Sequence, residues 1–291
     1  MILRKFKRRS LLYVPGSSEK ALQKASVLKE ADSLLFDLED SVAPDNKDTA
    51  RHRVCDAIRD IADQNGVREI VVRVNPLASP FCIGDLLAVV PLLPDSLIIP
   101  KASAKDVACM DGIIASLELK HSLPVGKIGL LPLIETAGGV MNVAEIIRAS
   151  NRVSGVFLGG EDLTRDMAIN RTDSGKELQW CRNFLAMACK AASVDCIDTP
   201  YSNFRDVSGF EADTSYVKSI GMTGRSLIHP SQIEVANKIF SPSPEEVEYA
   251  IKVVAAYKEA LDGGRGAISL DGKMIDVPIY ERARSLLAGL D

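Results

Sequence analysis

The sequence predicts an α/β chain folded as a (β/α)8 TIM barrel with a C-terminal helical and hairpin extension. Three observations predict it. Eight short, continuously apolar runs recur along the chain. Amphipathic stretches such as "EKALQKASVLKEA" and "GGVMNVAEIIRAS" separate them, with apolar residues at helical spacing. The length of 291 residues fits one such barrel plus a short appendage. Runs that are continuous rather than alternating suit parallel strands buried on both faces. Strands alternating with helices imply a parallel sheet, and eight repeats imply its closure.

The runs, in order, are "SLLYVP" from Ser10, "SLLFDLED" from Ser33, "EIVVRVN" from Glu69 and "SLIIPK" from Ser96. They continue with "IGLLPLIE" from Ile128, "VSGVFLGGED" from Val153, "DCIDTP" from Asp195 and "RSLIHP" from Arg225. Nearly all end in polar or proline-containing text: Pro15-Gly16-Ser17, Asp37 to Asp40, Arg73 to Asn75, Pro100-Lys101, Glu135-Thr136, Glu161-Asp162, Asp198-Thr199 and His229-Pro230. In a (β/α)8 barrel the strand C-termini form one rim, where chemistry collects. Residues 1–235 are therefore expected to form the barrel and residues 236–291 an extension. In the latter, "PSPEEVEYAIKVVAAYKEALD" reads as a helix capped by Ser243 with Pro244 in its first turn. A glycine-rich tether, a hairpin around Asp271-Gly272 and a last helix from near Ile279 follow.

Hydrophobic residues at 46 % and charged residues at 25 % describe a globular protein with ample core. A net charge of −4 argues against nucleic acid as the main partner. The basic run from Arg4 to Ser10 reads as a solvated arm. No segment reaches the ~18 apolar residues of a membrane span, and the N-terminus lacks the apolar core of a secretory signal. A cytoplasmic protein is expected. Cys55, Cys82, Cys109, Cys181, Cys189 and Cys196 form no CxxC pair. They read as small buried hydrophobes in a reducing compartment.

Glu135 and Asp162 each follow a strand. Two carboxylates on adjacent strand ends suit a magnesium ion, which keeps several waters and takes further oxygens from substrate. The competing reading is a helix cap for one acid and an ion pair for the other. His52, His121 and His229 lack the spacing of zinc ligands. Arg73 ends its strand inside "VVRVN". Its planar fork suits a carboxylate or keto-acid oxygen, and equally an ion pair with the acids of "DLED".

Longer motifs carry a resemblance: "RRSLLYVPGSSEKALQKA", "DSLLFDLEDSVAPDNKDTAR", "VVRVNP", "LLPLIETAGGVMNVAEI", "GGEDLTRDM", "IDTPYSNFRD", "LIHPSQI" and "LDGKMIDVPIYERAR". Over nearly the whole chain the sequence resembles the citrate lyase β-subunit and malyl-CoA lyase family. The resemblance implies a barrel that uses Mg2+ to cleave a 3-hydroxyacyl thioester to acetyl-CoA and a 2-oxo acid. It implies that Glu135 and Asp162 bind the metal and that Arg73 binds the keto acid and stabilises the enolate. Asp276 matches the acid/base acting on the acetyl methyl, usually over a neighbouring subunit's site, so a homo-oligomer (trimer or hexamer) is expected. Tyr13, Lys20 and Lys24 match CoA-binding positions, and Ile228 a backbone contact to CoA. Lys20 and Lys24 lie one turn apart on one helix face, where they suit phosphates or are ordinary surface lysines.

Under that chemistry Gly159 and Gly160 leave room for the backbone to approach the 2-oxo acid. Asp37, Glu39 and Asp40 hold metal waters or orient Arg73. Two other functions compete. One is a citrate lyase β-subunit acting on citryl-acyl carrier protein beside α and carrier subunits. The other is a catalytically silent barrel serving as an assembly module. The motifs name a reaction class, not the acyl group.

Overall fold

The computed structural model describes residues 6–62, 68–172 and 174–290. Eight parallel strands close into a barrel in sequence order, each neighbour hydrogen-bonded to the next. They are β1 Ser10–Pro15, β2 Ser33–Asp37, β3 Glu69–Arg73, β4 Ser96–Ile99, β5 Gly129–Ile134, β6 Gly155–Leu158, β7 Asp195–Asp198 and β8 Gly224–Leu227. Closure comes from β8 on β1, with Ser10 opposite Arg225.

The continuous apolar runs have the expected cause. Alternate residues of each strand face two different cores. Leu11, Leu35, Val71, Ile98, Leu131, Leu133, Phe157 and Ile197 fill the barrel interior. Their neighbours Leu12, Leu34, Phe36, Val72 and Leu97 pack outward among the surrounding helices. Both faces are buried, so the run of each strand is predominantly apolar.

The N-terminal end of the barrel corrects one expectation. The stretch read as a solvated arm runs into the barrel floor. Arg4 and Lys5 lie outside the described residues. The Arg8 side chain, however, is only 8 % exposed, with its guanidinium 2.6 Å from Glu69 of β3 and 3.3 Å from Asp195 of β7. It also donates to the Ser154 carbonyl at 3.1 Å. Arg9 pairs with Asp32 at 2.7 Å. A charge there without partners would cost several kcal/mol, so the acids on β3 and β7 decide its place. Gly224 serves the same region: a Cβ there would collide with the Arg8 carbonyl oxygen.

The chain forms two compact units, one ending at Phe240 and a second beginning at Ser241. The division falls five residues beyond the expected barrel end, because the helix Ile233–Phe240 buries Ile233 and Ala236 in the barrel core. The second unit holds the helix Pro244–Asp262, capped by Ser243 and Glu246 in a reciprocal box. Strands β9 Ile268–Leu270 and β10 Lys273–Ile275 form an antiparallel hairpin. Asp271 and Gly272 turn it with φ of 51° and 75°, the signs a tight hairpin turn requires. The helix Val277–Ala288 follows. Val253, Tyr257, Ile275 and Ala283 form that unit's own core.

Five of the six cysteines are buried, whereas Cys109 is exposed, contrary to the expectation for all six. Among the described residues no helix is long and apolar enough to cross a membrane.

Candidate active site

A cavity of about 430 Å³ opens where the strands end, and every strand except β4 lends it a lining residue at or just past its C-terminus. Tyr13, Asp37, Asp40, Arg73, Glu135, Gly159, Gly160, Asp162 and Ile228 all line it. Residues 149 positions apart in sequence, Tyr13 and Asp162, meet there because eight strands share one polarity.

The register places Asp37 of β2 directly beside Arg73 of β3. The two form a bidentate pair, Nε to Oδ1 at 2.7 Å and Nη2 to Oδ2 at 2.8 Å. Asp37 also accepts the backbone N–H groups of Glu39 and Ser41. Burial pushes its carboxyl up, but the Arg73 pair and these N–H groups prevail and hold it below the ordinary range. Burial works against the Arg73 charge too, yet the surrounding acids keep it firmly protonated. The third nitrogen, Nη1, lies 3.0 Å from Glu39 and 3.3 Å from Asp40. The Tyr13 ring covers the guanidinium at 5.1 Å. Of the two readings of Arg73, the ion pair with "DLED" is therefore present, with the cavity on its open side.

Glu135 follows β5 and is almost fully buried. The cap of the next helix is Thr136, whose hydroxyl takes the Gly139 N–H, so Glu135 is free of that duty. Burial pushes its carboxyl up to about 7, against the pull of the Lys101 ammonium. Asp162 sits in the first turn of the short helix Gly160–Asp166 and pairs with Arg165. The ion-pair reading thus holds for Asp162, which lies in the helix's first turn without being its cap, and it remains in the cavity lining.

The glycines also make room within the protein itself. A Cβ on Gly159 would lie 2.6 Å from the Glu135 Cβ, so Gly159 makes space for the Glu135 side chain. The Gly160 N–H already donates to Thr199 Oγ1 at 3.0 Å. Both still line the cavity.

Sequence reasoning missed Lys101. It follows β4 in a left-handed backbone conformation, φ 48°. Its N–H donates to Glu135 Oε1 at 2.7 Å. Its ammonium lies 3.4 Å from Glu39, 3.8 Å from Glu135 and 4.0 Å from Asp162. The available signal was a cation closing an apolar run at a rim otherwise rich in acids. Lys47 was missed too. Its buried ammonium donates to the carbonyls of Leu38 and Glu39 at 2.7 Å and to Asn75, fixing the loop after β2. Lys20 and Lys24 lie exposed on the helix Glu19–Val27, outside the cavity lining. Asp276 belongs to the second unit, where its carboxylate accepts the Ile279 N–H at 3.3 Å and caps the last helix.

Among the described residues no three His, Cys, Asp or Glu side chains are spaced to hold a metal ion. The donor chemistry nonetheless fits a hard cation. Glu39, Glu135 and Asp162 surround a positive charge contributed by the chain itself, and carboxylate oxygens with room for water are what magnesium takes.

A profile described as HpcH/HpaI aldolase/citrate lyase matches residues 9–230. Citrate lyase subunit beta of Leuconostoc mesenteroides subsp. cremoris is 37 % identical over 281 residues, covering 96 % of this chain and 92 % of that protein. A (3S)-malyl-CoA thioesterase of Cereibacter sphaeroides is 36 % identical over 281 residues, covering 96 % and 93 %. The CitE protein of Mycobacterium tuberculosis, solved with magnesium, acetoacetate and coenzyme A, superposes with a TM-score of 0.79 at 27 % identity, covering 98 % of each chain.

Proposed function

The chain belongs to the HpcH/HpaI aldolase/citrate lyase family, and we propose that it is a cytoplasmic, Mg2+-dependent lyase. Its substrate is a 3-hydroxyacyl-CoA thioester of the malyl-CoA or citramalyl-CoA type, cleaved to acetyl-CoA and a 2-oxo acid. The observation that carries this reading is the meeting of Arg73 with Glu135 and Asp162 in the lining of one cavity, with both acids near the Lys101 ammonium.

Retro-Claisen cleavage breaks a C–C bond beside a hydroxyl and leaves a thioester enolate. Glu135 and Asp162 would hold magnesium, which when bound supplies positive charge to the substrate's carboxylate and hydroxyl oxygens. Arg73 binds the substrate carboxylate or keto oxygen through Nη1, displacing the exposed Asp40 from its 3.3 Å contact. Its two nitrogens paired to Asp37 keep the fork fixed, so stabilisation of the developing charge needs no reorganisation. Tyr13 blocks the other face of the guanidinium from water. Ile228 offers backbone to the CoA chain, and Lys20 with Lys24 attract its phosphates. The proton lost from the substrate hydroxyl as it becomes the ketone leaves to solvent, and protonated Asp276 gives one to the enolate carbon, or its carboxylate takes the methyl proton in the condensation direction. In this reading it does so over a neighbouring subunit's cavity.

Two relatives favour specific rivals. The citrate lyase subunit likeness favours a chain that acts on citryl-acyl carrier protein with partner subunits. The thioesterase likeness favours hydrolysis of the thioester. Incubation of the pure protein with candidate CoA thioesters and magnesium, read by mass spectrometry, separates all three. Acetyl-CoA with a 2-oxo acid supports the lyase. Free CoA with the intact hydroxy acid points to hydrolysis. Inertness toward every CoA thioester, with turnover only beside α and carrier subunits, makes it a citrate lyase component.

A further inference from the structure

We propose that Lys101 is a resident counter-ion of the metal position, holding the acids of the rim together until a divalent cation displaces it. The inference rests on the magnesium reading above. Three carboxylates reach one ammonium from three separate strand ends: Glu39 after β2, Glu135 after β5 and Asp162 after β6. Nothing local in sequence brings them there. The contacts of 3.4, 3.8 and 4.0 Å are long for hydrogen-bonded ion pairs, and they ring a space rather than close on a point. Magnesium–oxygen bonds are about 2.1 Å, so the same carboxylates could contract upon a dication. They could not do so around the ammonium as well, because two cations a few ångström apart repel strongly in a partly buried site.

Two further features suit a displaceable charge. The Lys101 side chain is 37 % exposed, so it has somewhere to go. Arg73, a second cation of the rim, is 10 % exposed and held bidentately by Asp37, so it stays, whereas Arg165, which pairs with Asp162, is 73 % exposed and belongs to the same helix turn. The Lys101 backbone is fixed independently of its ammonium: its N–H is committed to Glu135, and its left-handed φ turns the chain there. Glu39 Oε2 is buried without a hydrogen bond. It lies 3.0 Å from Arg73 Nη1 but off line, which leaves an acceptor open at this position.

The test is calorimetric titration of Mg2+ into the full-length protein, with Lys101→Met and Lys101→Arg beside the wild type. Loss of the competing charge should tighten Mg2+ binding of Lys101→Met by roughly tenfold or more, and lower the melting temperature of its metal-free form. Lys101→Arg keeps a charge and should bind no more tightly than wild type. A lysine that merely shapes the site would give the opposite sign, with weaker binding in Lys101→Met. Equal or weaker binding there, beside a normal wild-type isotherm, overturns the inference and leaves the lyase reading standing. Absence of Mg2+ binding to wild type removes both. A measurement on wild type avoids folding failure of a variant. Acylation of Lys101, read by peptide mass spectrometry against exposed Lys20 and Lys24, should rise severalfold on adding Mg2+. Unchanged or reduced labelling overturns the inference.

Discussion

Glu135 keeps its proton to about pH 7, where an ordinary glutamate has lost it near 4.5. The folded pKa lies above the unfolded one, so between these values the folded chain binds more protons. Its contribution to stability is present below about 4.5 and is lost as pH rises through about 7. In chelator the melting temperature should therefore fall across that window, and Glu135→Gln should flatten the fall. An identical profile in the variant would show that Glu135 does not govern it. Arg73 makes a different demand, for geometry rather than charge. Arg73→Lys cannot span Asp37 with two parallel bonds and still present a third nitrogen. Turnover should drop roughly tenfold or more, the scale of a lost ~1.4 kcal/mol transition-state contact. Unchanged steady-state kinetics would make Arg73 purely structural. These two residues were legible because acids and an arginine at strand ends are costly unless used. Lys101 was not, because a lysine after an apolar run looks like any solvated end. Its partners lie 62, 34 and 61 residues away along the chain.

Elements set what a side chain can reach. Lys20 and Lys24 share one exposed face of the helix Glu19–Val27, beyond the cavity lining. A contact to phosphate there is far from the reacting bond and equal in ground and transition states. Replacing both with Ala should raise KM for the thioester and leave kcat nearly unchanged. A fall in kcat at constant KM would reject the phosphate role. Asp276 sits at a helix start and so carries two tasks. As the cap of Val277–Ala288 it contributes about 1 kcal/mol. Asp276→Asn keeps an acceptor for the Ile279 N–H and should melt near wild type while losing activity; Asp276→Ala should lose both. An active Asp276→Asn enzyme would limit this residue to capping. The last helix was expected from Ile279, yet it begins at Val277, since the aspartate proposed for chemistry is also its cap.

At the scale of the molecule, the barrel brings eight strand ends to one rim, whereas Asp276 belongs to the second compact unit. The proposed oligomer makes that division functional. Asp276→Asn mixed with Glu135→Gln under subunit exchange should regain activity, because sites completed across subunits would include some with neither lesion. With exchange confirmed, continued inactivity would mean that each chain completes its own site.

The barrel was already written in the order of residues. Eight apolar runs buried on both faces leave a parallel sheet closed on itself as the fitting architecture, and the polar text at their ends marks the working rim. That text also marked Arg73, Glu135 and Asp162, since each places a charge where only a partner makes it tolerable. The rest was settled in three dimensions, through distances that no local pattern encodes. Folding placed Arg8, expected in solvent, against Glu69 and Asp195 in the barrel floor. It assigned Gly159 to the Glu135 side chain, because the two Cβ positions cannot both be filled. And it set the Lys101 ammonium among Glu39, Glu135 and Asp162, a meeting fixed by the register and closure of β2, β4, β5 and β6 rather than by the identity of any one of them.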